Sequence, residues 1–330
     1  MRFLLDDEQR EFARSLDAML TAADTVAAAR AWGSGEHAPG RAVWGRLADA
    51  GVFALAAPQE YEGVGPLPVE TAVAFVELGR HAVPGPVVET VAAAALLTRL
   101  AALGDTAPAK RFLPTLASGG RSATLTLPEG GPYALDADAA DLVLAVSDDG
   151  LRLAPGHARV RRSLDPARRL AAPLPGGEPL AAGPAVAAAA RHATDWAALA
   201  IAAQSLGVGL ALLDRTVAYA KQRSQFGVPI GTFQAVKHRL ADVLVRLEFA
   251  RPVVFGAALT MAPGDVAAAK VTAGDAVYAA ARAALQLHGA IGYTAEFDLS
   301  LWLTKARALR GAWGDPGVWR GRVLAARGEV

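Results

Sequence analysis

Apolar residues in the first third of the chain recur at three- and four-residue steps, the spacing of one helix face. From Asp7 to about Arg30 this pattern predicts one amphipathic helix, and a short helix follows at Trp44–Ala50. Residues 58–66 are rich in glycine and proline and predict a loop. Further helices are predicted at Val69–Arg80, Val87–Leu103 and Ala107–Ser118. This part of the chain is therefore predicted to be mostly helical.

The pattern changes between Ser122 and Leu180. Short β-prone runs are separated there by clusters of Gly, Pro and Asp, which is typical of short strands joined by turns. These runs lie at Ala123–Leu127, Leu142–Val146 and Leu151–Leu153. The middle of the chain therefore predicts a small all-β insert.

Helical periodicity returns after Gly183-Pro184 and continues to the end of the chain. Loops interrupt it at Gln225–Gly231 and Gly289–Gly292. The predicted helices end near Lys221 and then cover Thr232–Thr260, Pro263–His288, about Asp298–Arg310 and Pro316–Ala326. We predict a mainly α fold with an N-terminal helical domain at 1–120, a reduced β-domain at 121–183 and a helical bundle at 184–330.

Composition and charge exclude several function classes. The 330 residues are 53% hydrophobic and 20% charged, with 33 basic against 32 acidic residues and a net charge of +1. Such a balance disfavours a nucleic-acid partner. The absence of cysteine removes disulfides and thiolate chemistry, and the six histidines lack the spacing of a metal site, so no metal is expected.

Neither a membrane span nor a secretion signal is expected. The first acidic residue is Asp6, so the start of the chain lacks the apolar core of a signal peptide. The Ala-rich tracts at 91–97 and 185–190 are shorter than the roughly 20 apolar residues of a membrane span. The sequence therefore predicts a cytoplasmic protein.

Two short motifs resemble catalytic or cofactor signatures only in part. Gly207-Val208-Gly209 lacks the third glycine and the preceding strand of a dinucleotide-binding turn. Ser205 lacks the glycine and strand of a nucleophile elbow. Both lie within a helical period, so we interpret them as helix packing positions.

The stretch from Tyr219 to Asp242 carries the most informative chemistry. It ends one helix, crosses a loop that contains Arg223 and Phe226, and begins another helix near Gln234. An arginine held there can pair with a pyrophosphate, an aromatic ring can pack on adenine or ribose, and an amide can bond to them. From the residues alone, a purely structural loop between two helices is an equal alternative.

The same stretch closely resembles the loop between the first two bundle helices of the acyl-CoA dehydrogenase family. The segment 286–299 is similar to that family's Gln-x-x-Gly-Gly-x-Gly segment, with Ala290 in place of the second glycine. The stretches Trp44–Leu55 and Pro58–Gly65 resemble its N-terminal motifs. The resemblance covers most of the chain except the middle and implies the three-part fold predicted above.

The resemblance also implies a cofactor. In this family FAD accepts the β-hydride of an acyl-CoA while a carboxylate takes the α-proton, and the ADP half of FAD lies against a neighbouring subunit. The implied ADP-binding residues are Arg223, Gln225, Phe226, Gln234, Gln286, Gly289 and Gly292.

The family's general base has no counterpart here. Its two positions fall on Trp313 and on Ala197, and neither side chain can abstract a proton. Asp195 and Asp315 each lie two residues away and are fallback bases, although helix capping explains both. The flavin-supporting motif is reduced to 126–133, and no Trp occurs between residues 45 and 195 to complete it.

These departures favour a non-catalytic subunit of a heterotetrameric acyl-CoA dehydrogenase of the kind that actinobacteria use on CoA thioesters of steroid side chains. A paralogous partner would supply the base and bind most of the acyl-CoA, and an electron-transfer flavoprotein or a similar acceptor would take the electrons. Two alternatives stay open. One is a homomeric flavoenzyme with Asp195 or Asp315 as base, and the other is a silent scaffold that does not touch flavin.

Overall fold

The computed structural model describes residues 4–328, apart from the side chain of Glu129. The outermost residues of the first and last predicted domains, 1–3 and 329–330, lie outside the described residues, as does the Glu129 side chain of the reduced flavin motif. Within the described part the chain runs through helices, then strands, then helices, as its patterning predicts.

Six helices form the N-terminal part. They are α1 (Asp7–Thr21), α2 (Thr25–Ser34), α3 (Ala38–Asp49), α4 (Pro68–Arg80), α5 (Val87–Ala102) and α6 (Ala107–Ala117). The single helix predicted from Asp7 to Arg30 is wrong, because Asp24 has a left-handed φ of 43° and breaks it. The Asp24 side chain accepts a hydrogen bond from the Ala27 backbone and so caps α2.

The helix predicted at Trp44–Ala50 begins six residues earlier. Pro39 lies in the first turn of α3, where a missing backbone N–H costs no intrahelical hydrogen bond. Proline therefore starts this helix at Ala38.

Two small sheets follow. Their strands are β1 (Ala123–Thr126), β2 (Ala134–Leu135), β3 (Leu142–Ser147), β4 (Gly150–Leu153), β5 (Arg161–Arg162), β6 (Arg169–Ala171) and β7 (Glu178–Ala181). One sheet has the order β1-β3-β4-β7, in which only β1 and β3 are parallel, and the other has the antiparallel order β2-β6-β5. The sequence predicts β1, β3 and β4. It misses β2, β5 and β6, which have only two or three residues and cannot show a period of two, and it misses β7, whose pattern Pro179 interrupts.

The C-terminal part is a helical bundle. Its elements are α7 (Pro184–Gln222), a hairpin of β8 (Ser224–Gln225) and β9 (Val228–Pro229), α8 (Gln234–Thr260), α9 (Pro263–His288), α10 (Leu299–Gly311) and α11 (Pro316–Ala326). Helix α7 is central and packs against α4, α5, α8 and α9. It buries nearly every side chain between Ala193 and Leu213.

By length and composition α7 could cross a membrane, contrary to the expectation that no such stretch exists. Its most apolar window is completely buried inside the protein. A span would have to present this surface to lipid, whereas here it faces other helices. Helix α7 is therefore the core helix of the fold.

Helices α4 and α7 touch backbone to backbone at two glycines. A Cβ on Gly207 would lie 1.8 Å from the Val76 carbonyl oxygen, and a Cβ on Gly79 would lie 2.1 Å from that of Gln204. The interpretation of Gly207 as a packing glycine is confirmed. Ser205 is 1% exposed inside the same helix, which confirms that it is not on a nucleophile elbow.

Two polar contacts fasten the bundle to the rest of the molecule. The Arg30 guanidinium of α2 donates to the carbonyl oxygens of Ala295 and Glu296 and to Asp298, at 2.8, 3.0 and 2.9 Å. Lys305 of α10 forms an ion pair with Asp165 of the β region at 3.2 Å, and both side chains are almost fully buried. The segment after α9 and helix α10 are thereby held against the other two parts.

Candidate functional site

The loop after α7 forms a tight β-hairpin. Ser224 pairs with Pro229 and Gln225 with Val228, which leaves Phe226 and Gly227 as the two turn residues. Both have positive φ, 54° and 81°, as a type I′ turn requires. The hairpin twist therefore holds a non-glycine residue, Phe226, in a left-handed conformation.

The predicted cofactor residues of this loop are exposed. Phe226 is 92% exposed, and its ring meets the edge of the Phe233 ring, with the centroids 6.3 Å apart. Gln225 donates to the adjacent Ser224 carbonyl at 2.9 Å. The Arg223 side chain forms no hydrogen bond or ion pair within the described residues, so it is free to pair with an anion.

The second predicted cofactor segment begins at the end of α9. Gln286 is exposed on the last turn of that helix. Gly289 follows with a φ of 64° and open space where a Cβ would lie, whereas Gly292 is buried in the short 3-10 turn after it. The backbone at Gly289 can therefore be approached closely by a ligand.

Tyr219 and His288 bring the two segments to the same end of the bundle. Their rings stack with centroids 4.1 Å apart, and the Tyr219 hydroxyl donates to the His288 carbonyl at 3.4 Å. Tyr219 also accepts the backbone hydrogen bond of Arg223 at 2.8 Å. His288 adds a bond between Nδ1 and the Ala284 carbonyl oxygen at 2.8 Å. The ends of α7 and α9 are thus held together.

The two predicted base positions lie in different environments. Ala197 is fully buried in the middle of α7, so no proton-transfer group reaches a cavity from there. Trp313 lies between α10 and α11 with a φ of 58°, and its carbonyl oxygen accepts from the Trp319 indole at 3.0 Å. Trp313 is half-buried and lines a cavity.

The two fallback bases, Asp315 and Asp195, both contact other groups of the protein. Asp315 caps α11, accepting from the backbone of Gly317 at 2.6 Å and of Val318 at 3.2 Å. Asp195 does not cap a helix, contrary to the expectation, because α7 begins eleven residues before it at Pro184. It lies instead 3.9 Å from the Arg322 guanidinium of α11.

The cavity beside Trp313 has a volume of about 410 Å³ and is partly open to solvent. It lies where β1, β6 and α10 meet the first turn of α5. Its apolar wall includes Leu125, Leu127, Leu164, Leu170 and Ala308, and its polar groups are Glu89, Thr126, Tyr133, Ser163, Arg168 and Arg307. This volume falls in the usual range of small-molecule pockets.

Glu89 is the titratable group that the sequence reasoning missed. Its side chain is 3% exposed, and Oε1 accepts a hydrogen bond from the Trp313 indole at 3.2 Å, whereas Oε2 has no partner among the described residues. Burial raises the pKa of Glu89, and the nearby Arg168 and the Trp313 hydrogen bond oppose that rise. The signal was a lone carboxylate within the apolar run Val87–Leu97, where an unpaired charge is costly.

One cluster of side chains departs from the expectation that the histidines have no metal-binding neighbours. His81 lies beside Asp17 and Glu77, close enough for the three to share a cation. The His81 Nε2 already lies 2.8 Å from an Asp17 oxygen. Burial raises the pKa of Glu77 to about 7, which disfavours the ionised ligand that a cation needs.

Comparison with known proteins decides the family. The N-terminal domain of acyl-CoA dehydrogenases matches residues 6–120, and the C-terminal domain of acyl-CoA dehydrogenases matches residues 187–327. The chain belongs to the acyl-CoA dehydrogenase family. This family consists of FAD-binding flavoproteins, so the predicted cofactor is confirmed at that level.

Among curated relatives, acyl-CoA dehydrogenase IpdE2 of Mycobacterium tuberculosis is 36% identical over 303 residues, which cover 91% of each chain. Acyl-CoA dehydrogenase FadE34 of the same organism is 32% identical over 305 residues. That match covers 86% of this chain but only 42% of FadE34.

Solved structures agree on the fold. A steroid acyl-CoA dehydrogenase, the Tcur3481-Tcur3483 G363A variant, has a TM-score of 0.82 at 25% identity and covers 98% of both chains. The ChsE4-ChsE5 complex from Mycobacterium tuberculosis has a TM-score of 0.83 at 24% identity and covers both chains fully. The predicted three-part architecture is therefore confirmed.

The residues fit one half of FAD better than the other. Arg223, Phe226 and the open backbone at Gly289 offer a cation, an exposed ring and a close approach, which suit a pyrophosphate and an adenosine. The strand that the resemblance expects to support the flavin ring, β1, ends at Thr126, and Leu127 directly after it is a buried apolar residue. These groups are therefore of the types that an ADP moiety would need.

Proposed function

We propose that this chain is a subunit of a heteromeric, FAD-dependent acyl-CoA dehydrogenase. It contributes the ADP half of a shared FAD site, while a paralogous partner supplies the base and most of the acyl pocket. Trp313 at one base position carries this proposal, because an indole cannot remove an α-proton and Ala197 at the other is buried.

The exposure of the candidate ADP residues supports their use by a second chain. Arg223, Phe226 and Gln234 are exposed on the surface rather than turned toward the cavity beside Trp313. These residues do not line that cavity, which supports a cofactor site shared with another chain. FAD supplies the hydride acceptor when it is bound, and this chain's part is to bind and orient it.

Exposed apolar side chains mark a surface for the partner. Leu244, Val245 and Phe249 lie on one face of α8 and are 45%, 52% and 72% exposed. The hairpin with Phe226 lies just before the same helix. An exposed apolar patch next to a ligand site is typical of a protein interface.

The relatives support a heteromer that acts on a steroid-derived CoA thioester. One similar structure is described as a steroid acyl-CoA dehydrogenase and another as the ChsE4-ChsE5 complex. FadE34 extends over more than twice the matched length, which leaves room for a second unit in the same chain. We expect an α2β2 assembly in the cytoplasm, with an electron-transfer flavoprotein or a similar acceptor.

The first test is the ratio of FAD to polypeptide, measured from the flavin absorption spectrum. The chain is purified alone and again after co-expression with the paralogue encoded by a neighbouring gene. We expect flavin only in the mixed sample. About one flavin per chain in the lone protein would overturn the shared site and favour a homomeric enzyme.

Variants of the mixed complex test the assigned roles. Arg223→Ala should strip FAD, whereas the matched exposed arginine variant Arg239→Ala, on the next helix, should retain it. Asp195→Asn and Asp315→Asn should leave turnover intact. A flavin-loaded Asp variant without activity would contradict the non-catalytic assignment, and an Arg223→Ala complex with full flavin would favour a silent scaffold.

A further inference from the structure

His288 joins the two candidate ADP-binding segments, although it is not one of the groups assigned to bind ADP. Its side chain is 5% exposed at the end of α9, directly before Gly289. Its ring stacks on Tyr219, one turn before Arg223, with the two ring planes inclined by only 26°. The Tyr219 carbonyl oxygen accepts from the Arg223 backbone N–H, so the stack connects the backbone at Arg223 to the backbone at Gly289.

The His288 ring has a defined orientation. Its Nδ1 lies 2.8 Å from the Ala284 carbonyl oxygen, and because a carbonyl can only accept, this nitrogen carries a proton. Burial lowers the pKa of His288, which favours the neutral imidazole. The Phe297 ring is a second aromatic neighbour, with the centroids 5.6 Å apart. Rotation of the imidazole would therefore break a hydrogen bond and change both ring contacts.

The turn that follows His288 packs on the same side chain. A Cβ on Gly292 would lie 3.2 Å from the His288 Cβ and equally far from a methyl carbon of Leu285. This approach is tighter than an ordinary van der Waals contact, so Gly292 is a packing position of the turn. The accessible backbone at Gly289 thus begins a turn whose later residues, Gly292 and Phe297, contact His288.

We propose that His288 and Tyr219 are positioning residues of the ADP site, whose stacked rings hold Arg223 and the backbone at Gly289 at a fixed spacing. The inference rests on the proposed function and adds residues that need not touch the cofactor. A ligand that contacts two protein groups binds more tightly when their spacing is set before binding, because the cost of ordering them is already met. Loss of the stack should therefore weaken FAD binding although every group assigned to contact ADP is still present.

The test is the dissociation constant of FAD for the complex of this chain with its co-expressed paralogue. The complex is depleted of flavin and titrated with FAD, and quenching of the flavin fluorescence reports binding. We expect His288→Ala and Tyr219→Leu each to weaken FAD binding by about tenfold. The double variant should be little weaker than either single variant, because all three lack the same stack. Unchanged FAD affinity in both single variants, or losses that multiply in the double variant, would overturn the proposal.

Two further variants separate positioning from general damage. Tyr219→Phe keeps the stacked ring and removes only the hydroxyl, whose bond to the His288 carbonyl oxygen is long at 3.4 Å. Its FAD affinity should stay within about threefold of the original. His157→Ala is the matched control, because the His157 Nδ1 also lies 2.8 Å from a backbone carbonyl oxygen, but in the β region. We expect no change there, and a loss equal to that of His288→Ala would contradict a specific role.

Circular dichroism checks that each variant is folded. If His288→Ala does not fold, the comparison of Tyr219→Leu with Tyr219→Phe decides the result, and equal FAD affinity in these two variants contradicts the role of the stack.

Arg223→Ala distinguishes a failure of this inference from a failure of the proposed function. If Arg223→Ala loses FAD while His288→Ala and Tyr219→Leu bind it normally, only the positioning role is wrong. If all three variants bind FAD normally, the ADP site lies elsewhere and both conclusions are overturned.

Discussion

The Trp313 indole Nε1 donates to Oε1 of Glu89 across 3.2 Å, although the two residues are 224 positions apart in sequence. The bond joins the connection between α10 and α11 to the first turn of α5. The residue that the sequence predicts at the family's proton-acceptor position is therefore itself a hydrogen-bond donor to a buried carboxyl.

Removal of this donor should destabilise the protein. In Trp313→Phe both oxygens of Glu89 would lack a protein partner, and we expect the free energy of unfolding to fall by about 2–3 kcal/mol. Urea denaturation measures the change. In a Glu89→Met background the same Trp313→Phe substitution should cost less, since no carboxyl is left unpaired. An equal cost in both backgrounds would show that only ring packing matters.

The buried ion pair between Lys305 and Asp165 should be sensitive to loss of one partner. Lys305→Met leaves an uncompensated buried carboxylate and should lower the free energy of unfolding by about 3–5 kcal/mol. The double variant Lys305→Met/Asp165→Leu should recover much of that loss.

The matched control for this pair is Arg111→Ala, which breaks the exposed pair with Glu178. We expect no measurable change there, because solvent screens exposed pairs. Similar losses in both variants would contradict a role for burial. Urea denaturation provides the measurement.

Helix patterning predicted most of the α-helical fold because amphipathic periodicity is a local property. Helices α5, α6, α9 and α11 follow the predicted ranges to within a residue or two. The break at Asp24 was missed, since the apolar pattern continues across it while one residue adopts a left-handed backbone. A strand of two residues such as β2 has no period to detect, and its pairing partner β6, which lies much further along the chain, determines it.

Replacing a glycine by alanine should have opposite effects on stability at the α4–α7 crossing and on the protein surface. Gly207→Ala would place a methyl group 1.8 Å from a carbonyl oxygen, so the helices must separate, at a cost of about 3 kcal/mol. Gly321→Ala in α11 meets open space and should stabilise by about 0.5–1 kcal/mol. Thermal unfolding of both variants tests this, and a neutral Gly207→Ala would contradict the close crossing.

Asp136 should make stability depend on pH. Burial raises its pKa from 3.8 to about 7, so between these values the folded state binds more protons than the unfolded state. The free energy of unfolding therefore falls as pH rises through this window, and the contribution is constant above it. Asp136→Asn removes the effect.

The stability of Asp136→Asn relative to the original chain should rise between about pH 4 and pH 7, by no more than about 4 kcal/mol. Asparagine also tolerates the left-handed φ of 51° at this position. Urea denaturation across that pH range gives both curves. Parallel curves would show that Asp136 stays ionised in the folded protein.

The exposed face of α8 predicts the partner contact. Phe249→Glu puts a charge at the centre of this apolar surface and should weaken association with the co-expressed paralogue by about tenfold or more. Leu103→Glu, a 41% exposed position after α5, is the control and should leave the complex intact. Size-exclusion chromatography of the co-expressed chains separates the two results.

The candidate site was only partly predictable. The loop residues from Arg223 to Gln234 form a contiguous motif, so the sequence can predict them as a group, and the stacked rings of Tyr219 and His288 join the start of that loop to the end of α9. Glu89, Arg168 and Arg307 come from three separate parts of the chain and meet only when the β region packs on α5 and α10. No local sequence pattern predicts that these three side chains line one cavity. The one indication in the sequence was the lone carboxylate of Glu89 within an apolar helix.

The type I′ hairpin has a thermodynamic consequence for whatever binds to it. Phe226 is already held outward in a fixed backbone conformation, so the conformational entropy that a floppy loop would lose on association is lost when the chain folds. The entropy cost of ordering the loop is thus part of the free energy of folding and not of the free energy of binding. A glycine pair at 226–227 would keep the turn but loosen this preorganisation, and affinity should then fall through faster dissociation.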